Sequence, residues 1–228
     1  MSVASTKKTS SIKTQFFKYS KKSTWILIVI LAIIIGLYPL TFINANPNIG
    51  LLSSKSNELL NSPLWNLSFY THISLAGIAL LIGWLLFLKK LRAEYLHLHR
   101  LIGKIYIISV LLSSLAGYYI AYHATGGIYA VYGFSGMSTA WLLTTIIAYK
   151  AIRAGDIKKH ERWMIRSYAV TFTGVTFRLW LPFLKFACQM DFLEAYPISS
   201  WVSWMANLVV AELIIRRQFR KKEKMQMN

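Results

Sequence analysis

Six runs of about 20 mostly apolar residues, the length an α-helix needs to cross the hydrocarbon core of a bilayer, dominate this 228-residue chain. They lie roughly at Trp25 to Phe42, Leu64 to Leu88, Leu101 to Tyr122, Ile128 to Tyr149, Trp163 to Ala187 and Ile198 to Ile215. Strands are excluded, because the runs are too long and lack strict alternation. The expected fold is therefore all-α, a polytopic membrane bundle of six transmembrane helices. It divides into a flexible basic N-terminus (residues 1–24), the membrane domain (25–215) and a basic tail (216–228). A soluble domain is ruled out by composition too: 55% of residues are hydrophobic and 15% charged, against about 25% charged in soluble domains.

A net charge of +18 at first suggests a nucleic-acid partner, so the placement of the charges decides. Lys7, Lys8, Lys13, Lys18, Lys21 and Lys22 precede the first run. Lys89, Lys90, Arg92, Arg100 and Lys104 lie between the second and third, and Lys150, Arg153, Lys158, Lys159, Arg162 and Arg166 between the fourth and fifth. Arg216, Arg217, Arg220, Lys221, Lys222 and Lys224 follow the last. In a six-span chain all four groups fall on one side, and a Lys/Arg excess marks the cytoplasmic face. Both termini are thus expected in the cytoplasm, with the bilayer itself as the first partner. No recognition motif accompanies the charge, so no nucleic-acid role is assigned.

The first run exceeds the 7–15 apolar residues of a signal peptide and reads as an uncleaved anchor. One cysteine, Cys188, cannot form an internal disulfide, and the absence of Cys-x-x-Cys leaves a thiol redox pair and covalently attached haem unsupported. Gly-x-Ser-x-Gly, His-Glu-x-x-His and phosphate-loop motifs are also absent.

Helical periodicity picks out inward faces: Ser68, His72, Ala76, Ala79 and Gly83; Gly103, Tyr106, Ser113 and Gly117; Gly133, Gly136, Ala140 and Thr144; Ser167, Thr171, Gly174 and Arg178. Small residues allow membrane helices to approach closely. His72 and Arg178 need another explanation, since ionisable groups inside a bilayer are costly and mark functional sites. Each is about 10 Å from the outer end of its run, which predicts a shared layer. Nearer the cytoplasm, Arg166 or Lys104 is placed to pair with Glu212; Asn207, in the middle of the sixth run, is placed to hydrogen-bond across helices.

Histidines on facing helices can hold haem iron. The layout permits an outer pair, His72 with His123, and an inner pair, His99 with His160. Arg166 or Arg178 would then face the propionates of a b-type haem.

Several of these residues lie in extended motifs. Thr71-His72-Ile73-Ser74-Leu75-Ala76-Gly77, His99-Arg100-Leu101-Ile102-Gly103-Lys104-Ile105-Tyr106, Gly126-Gly127 with Gly133-Phe134, and His160-Glu161-Arg162-Trp163-Met164-Ile165-Arg166-Ser167-Tyr168-Ala169 resemble the bacterial predicted membrane proteins of domain-of-unknown-function family 2306. The resemblance covers about residues 68 to 182. It implies a helical membrane fold and points to His72, His99, His160 and Arg166, without implying an activity. The His-Arg-x-x-Gly element is also similar to one in di-haem membrane cytochromes of the cytochrome b561 and ferric reductase kind, although the fourth and sixth runs here contain no histidine.

Two functional readings follow. One is a redox protein in which His72, His99 and His160 ligate haem b and electrons pass between a quinone or another membrane redox protein and an outer acceptor. The other is a non-enzymatic bundle, either a subunit of a larger membrane complex or a carrier of small molecules, with Arg178 as an anion site. Either predicts that a reporter fused after Asn228 reads out in the cytoplasm and one inserted near Ser54 outside it; a periplasmic C-terminus would contradict the six-span arrangement.

Overall fold

The computed structural model describes residues 22–43 and 52–226, and among these it contains helices and no strand. The expected flexible N-terminus lies outside the described residues as far as residue 21. The first helix, α1 (Lys22–Phe42), closes in a 3-10 turn from Tyr38. A short α2 (Asn57–Leu60) leads to α3 (Pro63–Gly83), which continues as a 3-10 turn to Phe87. Ser62 caps α3 by accepting from the Trp65 amide, and Pro63 fills the first turn, where a missing N–H costs nothing. Then come α4 (Lys89–Glu94), α5 (Leu96–Tyr122), α6 (Gly127–Arg153), α7 (Ile157–Thr171), α8 (Thr173–Pro182) and α9 (Phe192–Gln226).

Five of these helices are long and apolar enough to cross a membrane: α1, α3 with its extension, α5, α6 and the segment Phe192–Gln218 of α9. The run Trp163 to Ala187, expected as one span, is instead divided. α7 ends at Thr171, α8 begins at Thr173, and Phe183–Ala187 form a π turn. The local chemistry explains the division. Thr171 donates its hydroxyl back to the Ser167 carbonyl, a bond that bends helices. Pro182 has no amide to offer the Arg178 carbonyl. Asn207 on α9 then bridges the break, its Nδ2 donating to the Ala169 carbonyl and to the Thr176 hydroxyl, each at 3.0 Å.

Connections are short, and glycine makes two of them possible. Gly126 (φ 95°) turns α5 into α6. Gly155 (φ 78°) ends α6 in a Schellman motif, in which the Gly155 amide donates to Ile152 and the Asp156 amide to Ala151. Asp156 then caps α7 by accepting from the Lys159 amide at 2.8 Å.

The centre of the bundle is α5, packed between α3 and α6; α6 also meets α7 and α9, and α8 lies on α9. Buried Tyr106 and Val110, Trp141 and Ala148, Met164 and Tyr168, and Ala79 and Leu80 form the core. Lipid supplies no hydrophobic drive between helices, so close backbone approach has to do so. A Cβ on Gly77 would fall 2.7 Å from the Gly36 carbonyl of α1, and one on Gly83 2.5 Å from Tyr168 Cε2 and 2.9 Å from Tyr106 Cε2.

Gly83→Ala is therefore expected to destabilise the protein by about 1–3 kcal/mol, the usual range for overpacking, read as a lowered thermal midpoint in detergent. Gly103→Ala, whose Cβ meets nothing nearer than 4.0 Å, should be neutral or slightly stabilising.

Candidate functional site

Polar groups in the bundle occur in three layers, which follow α5 at steps of seven residues: His99, Tyr106 and Ser113. The middle layer is fully enclosed. Tyr106 Oη lies 2.8 Å from Ser167 Oγ and 2.7 Å from Thr171 Oγ1. Trp141 Nε1 donates to Thr171 Oγ1 at 2.8 Å, and Thr145 Oγ1 is 2.7 Å from Ser167 Oγ. Because Thr171 gives its proton to the Ser167 carbonyl, it accepts from both Trp141 and Tyr106. Tyr106 in turn accepts from Ser167. Beside this junction Tyr168 Oη donates to the Leu80 carbonyl at 3.2 Å. The layer thus ties α5, α6 and α7 together with every hydroxyl partnered.

In the Ser113 layer His72 projects from the middle of α3 onto α5. Its Nδ1 is 2.9 Å from the Ser113 carbonyl, an acceptor, so that nitrogen carries the proton. Ser113 Oγ donates to the His72 carbonyl at 3.0 Å and stands 3.1 Å from Nδ1. The ring lies against Gly117, where a Cβ would come within 3.1 Å of Nδ1 and 2.8 Å of Ser138 Oγ. The tautomer is therefore fixed, and Nε2 is left as the acceptor.

At the basic end of the bundle, Arg92 Nη1 bonds Glu161 Oε1 at 2.8 Å. His160 Nδ1 is held by the Ala148 carbonyl at 2.9 Å, while His99 Nδ1 is buried with no hydrogen-bond partner. Arg166 makes a two-pronged bond to Glu212, Nε to Oε1 at 2.5 Å and Nη2 to Oε2 at 3.0 Å, with its guanidinium 4.5 Å over the Trp163 ring. Of the two cations expected to meet Glu212, Arg166 does so and Lys104 is exposed.

At the opposite end His123 lies edge-on to Tyr119 and Tyr122 and lines a groove of about 360 Å³ with Ser56, Glu58, Leu59 and Ser62. Lys55 Nζ donates to the His123 carbonyl and to Thr125 Oγ1, and burial pulls its ammonium below the ordinary lysine value. Arg178 is exposed, and its contacts are with Gly174 and Tyr38. It donates to the Gly174 carbonyl at 2.7 Å and lies 4.3 Å over the Tyr38 ring of α1.

These positions do not fit a haem. His123 is ten residues beyond Ser113, about 15 Å along α5, so it cannot share an iron with His72. Between α5 and α7, where His99 and His160 would clasp a macrocycle, the Tyr106 contacts to Ser167 and Thr171 close the gap. Among the described residues no three of His, Cys, Asp or Glu converge as a metal site.

The model of the predicted membrane proteins of domain-of-unknown-function family 2306 matches residues 69–215, from the first turns of α3 to Ile215 of α9. The chain belongs to this family. No curated protein and no solved structure matches it, so the fainter likeness to di-haem cytochromes gains no support. The family match takes in all three layers and leaves α1, with Tyr38, outside.

Sequence reasoning placed Tyr106, Ser113, Ser167 and Thr171 inward. It passed over Thr145 and Trp141, since a Thr144-Thr145 pair does not reveal which hydroxyl reaches across, and it also missed Arg92 with Glu161 and Tyr38 with Arg178. In this family member Tyr106→Phe should remove the two buried hydrogen bonds to Ser167 and Thr171 and lower stability by about 1–3 kcal/mol, measured as thermal unfolding in detergent.

Proposed function

We propose that this multi-pass membrane protein is a proton-responsive bundle without haem, with His72 as its working group. The observation that carries the reading is His72 itself: a half-buried imidazole near mid-span, one nitrogen committed to Ser113 and the other left as an acceptor. Imidazole is the side chain whose charge changes near neutral pH, and a titratable group within a bilayer is what proton-linked carriers use. The ion pairs Arg92 with Glu161 and Arg166 with Glu212 lie toward the basic end, where they suit anchoring. Arg178 is satisfied by Tyr38 and a carbonyl on the outer surface of the bundle, which favours His72 over Arg178 as the centre of function.

In this proposal the broken segment α7 with α8 crosses the membrane alongside the five unbroken spans, giving six crossings of a bacterial cytoplasmic membrane with both termini on the basic, cytoplasmic side. A kinked helix can cross where neighbouring side chains satisfy its freed backbone groups, and Asn207 has that role.

The test is proton movement in proteoliposomes that carry an internal pH-sensitive dye, under an imposed potassium diffusion potential. Wild-type protein should change internal pH faster than protein-free vesicles. His72→Gln, which keeps a polar group but does not titrate, should abolish the difference, and Arg178→Gln should retain it. Wild-type vesicles indistinguishable from empty ones, or a His72→Gln variant as active as wild type, would defeat the proposal.

A further inference from the structure

The start of α7 forms a groove of about 510 Å³ lined by Asp156, Lys158, Lys159, Arg162, Trp163 and Arg166. We propose that this groove is a binding site for the phosphate of an anionic membrane lipid. The inference is independent of the His72 reading, because it concerns a different end of the molecule and a different ligand.

Four cations face one carboxylate, and the local bonds determine which charges remain available. Asp156 is held at the helix end, where its Oδ1 accepts the Lys159 amide. Arg166 is neutralised by Glu212 and fixed over Trp163. Lys158 and Lys159 are exposed, and Arg162 is half-buried between them and Arg166. Lys158 and Arg162 lie one turn apart on a single stripe of α7, so their charges act at one place, with Arg166 and its partner Glu212 closing the stripe's far end.

The surroundings point to a lipid phosphate in particular. Trp163 is in the groove wall, and tryptophan favours the headgroup level of a bilayer. The apolar part of α7 begins there, so the groove opens where lipid phosphates lie. Anionic lipid is attracted by juxtamembrane cations, about 1 kcal/mol for each, or about fivefold in affinity. The guanidinium and ammonium groups supply the donors that a phosphate's oxygens accept.

The full-length protein in detergent would be titrated separately with phosphatidylglycerol, phosphatidylcholine and inorganic phosphate, with bound species counted by native mass spectrometry. Phosphatidylglycerol should be retained in preference to phosphatidylcholine. The double variant Lys158→Gln with Lys159→Gln should weaken its retention about 25-fold, and Lys89→Gln with Lys90→Gln, two exposed lysines of α4, should leave it unchanged. Thermal midpoints confirm folding; if the first double variant fails to fold, Lys158→Gln alone should show about a fivefold loss. Equal loss in both double variants would reduce the site to diffuse charge and overturn the proposal. Equal retention of the two lipids would overturn it as well, and so would binding of inorganic phosphate without binding of phosphatidylglycerol.

Discussion

Inside a bilayer no water is available to satisfy a hydroxyl, an indole or a freed carbonyl, and the Tyr106 junction shows how this bundle meets that constraint. Tyr106, Ser167, Thr171, Thr145 and Trp141 come from three helices and complete one another's hydrogen bonds. Their geometry depends on a side chain that is missing. Gly83 on α3 leaves the space that the Tyr106 and Tyr168 rings occupy, so α3 can lie against α5 and α7 while Tyr168 reaches the Leu80 carbonyl. Close packing and polar satisfaction are thus one arrangement, and loss of either disturbs the other.

The same constraint accounts for the break between α7 and α8. A helix interrupted inside a bundle frees backbone groups, and these need partners from the surrounding protein. Asn207 supplies them from α9, with one bond on each side of Phe172. Thr176 passes the connection on to the Ser203 carbonyl. The interruption also changes the phase of the helix. Ser167 and Thr171 face inward before it, whereas Arg178 after it turns to the surface and to Tyr38.

That change of phase separates what periodicity can reveal from what it cannot. Ser68, Ala79 and Gly83, Tyr106, Ser113 and Gly117, and Gly133 and Thr144 are buried where a regular repeat puts them. Arg178 departs from its stripe because the repeat was carried through a break that depends on how Thr171, Pro182 and Asn207 act together. The histidines diverge for a related reason. Their depths along separate helices were readable, but whether two of them meet depends on stagger and on what fills the space between helices. Here Tyr106 fills it for one pair, and the length of α5 separates the other.

By itself, the sequence determined the membrane class, the apolar helices, the clustering of basic charge between them and the family, because length, hydropathy and motif are properties of contiguous residues. It also indicated that Arg166 could meet Glu212, since both are ionisable and about one turn from the same end. Only the tertiary structure decided that Trp141 and Thr145 complete the Tyr106 junction, that Gly36 lets α1 touch Gly77, that Ser113 fixes the tautomer of His72, and that Asn207 holds a broken helix together. Each of these is a contact between helices. Its existence is set by rotation and stagger to within an ångström or two, which a pattern along one chain does not specify.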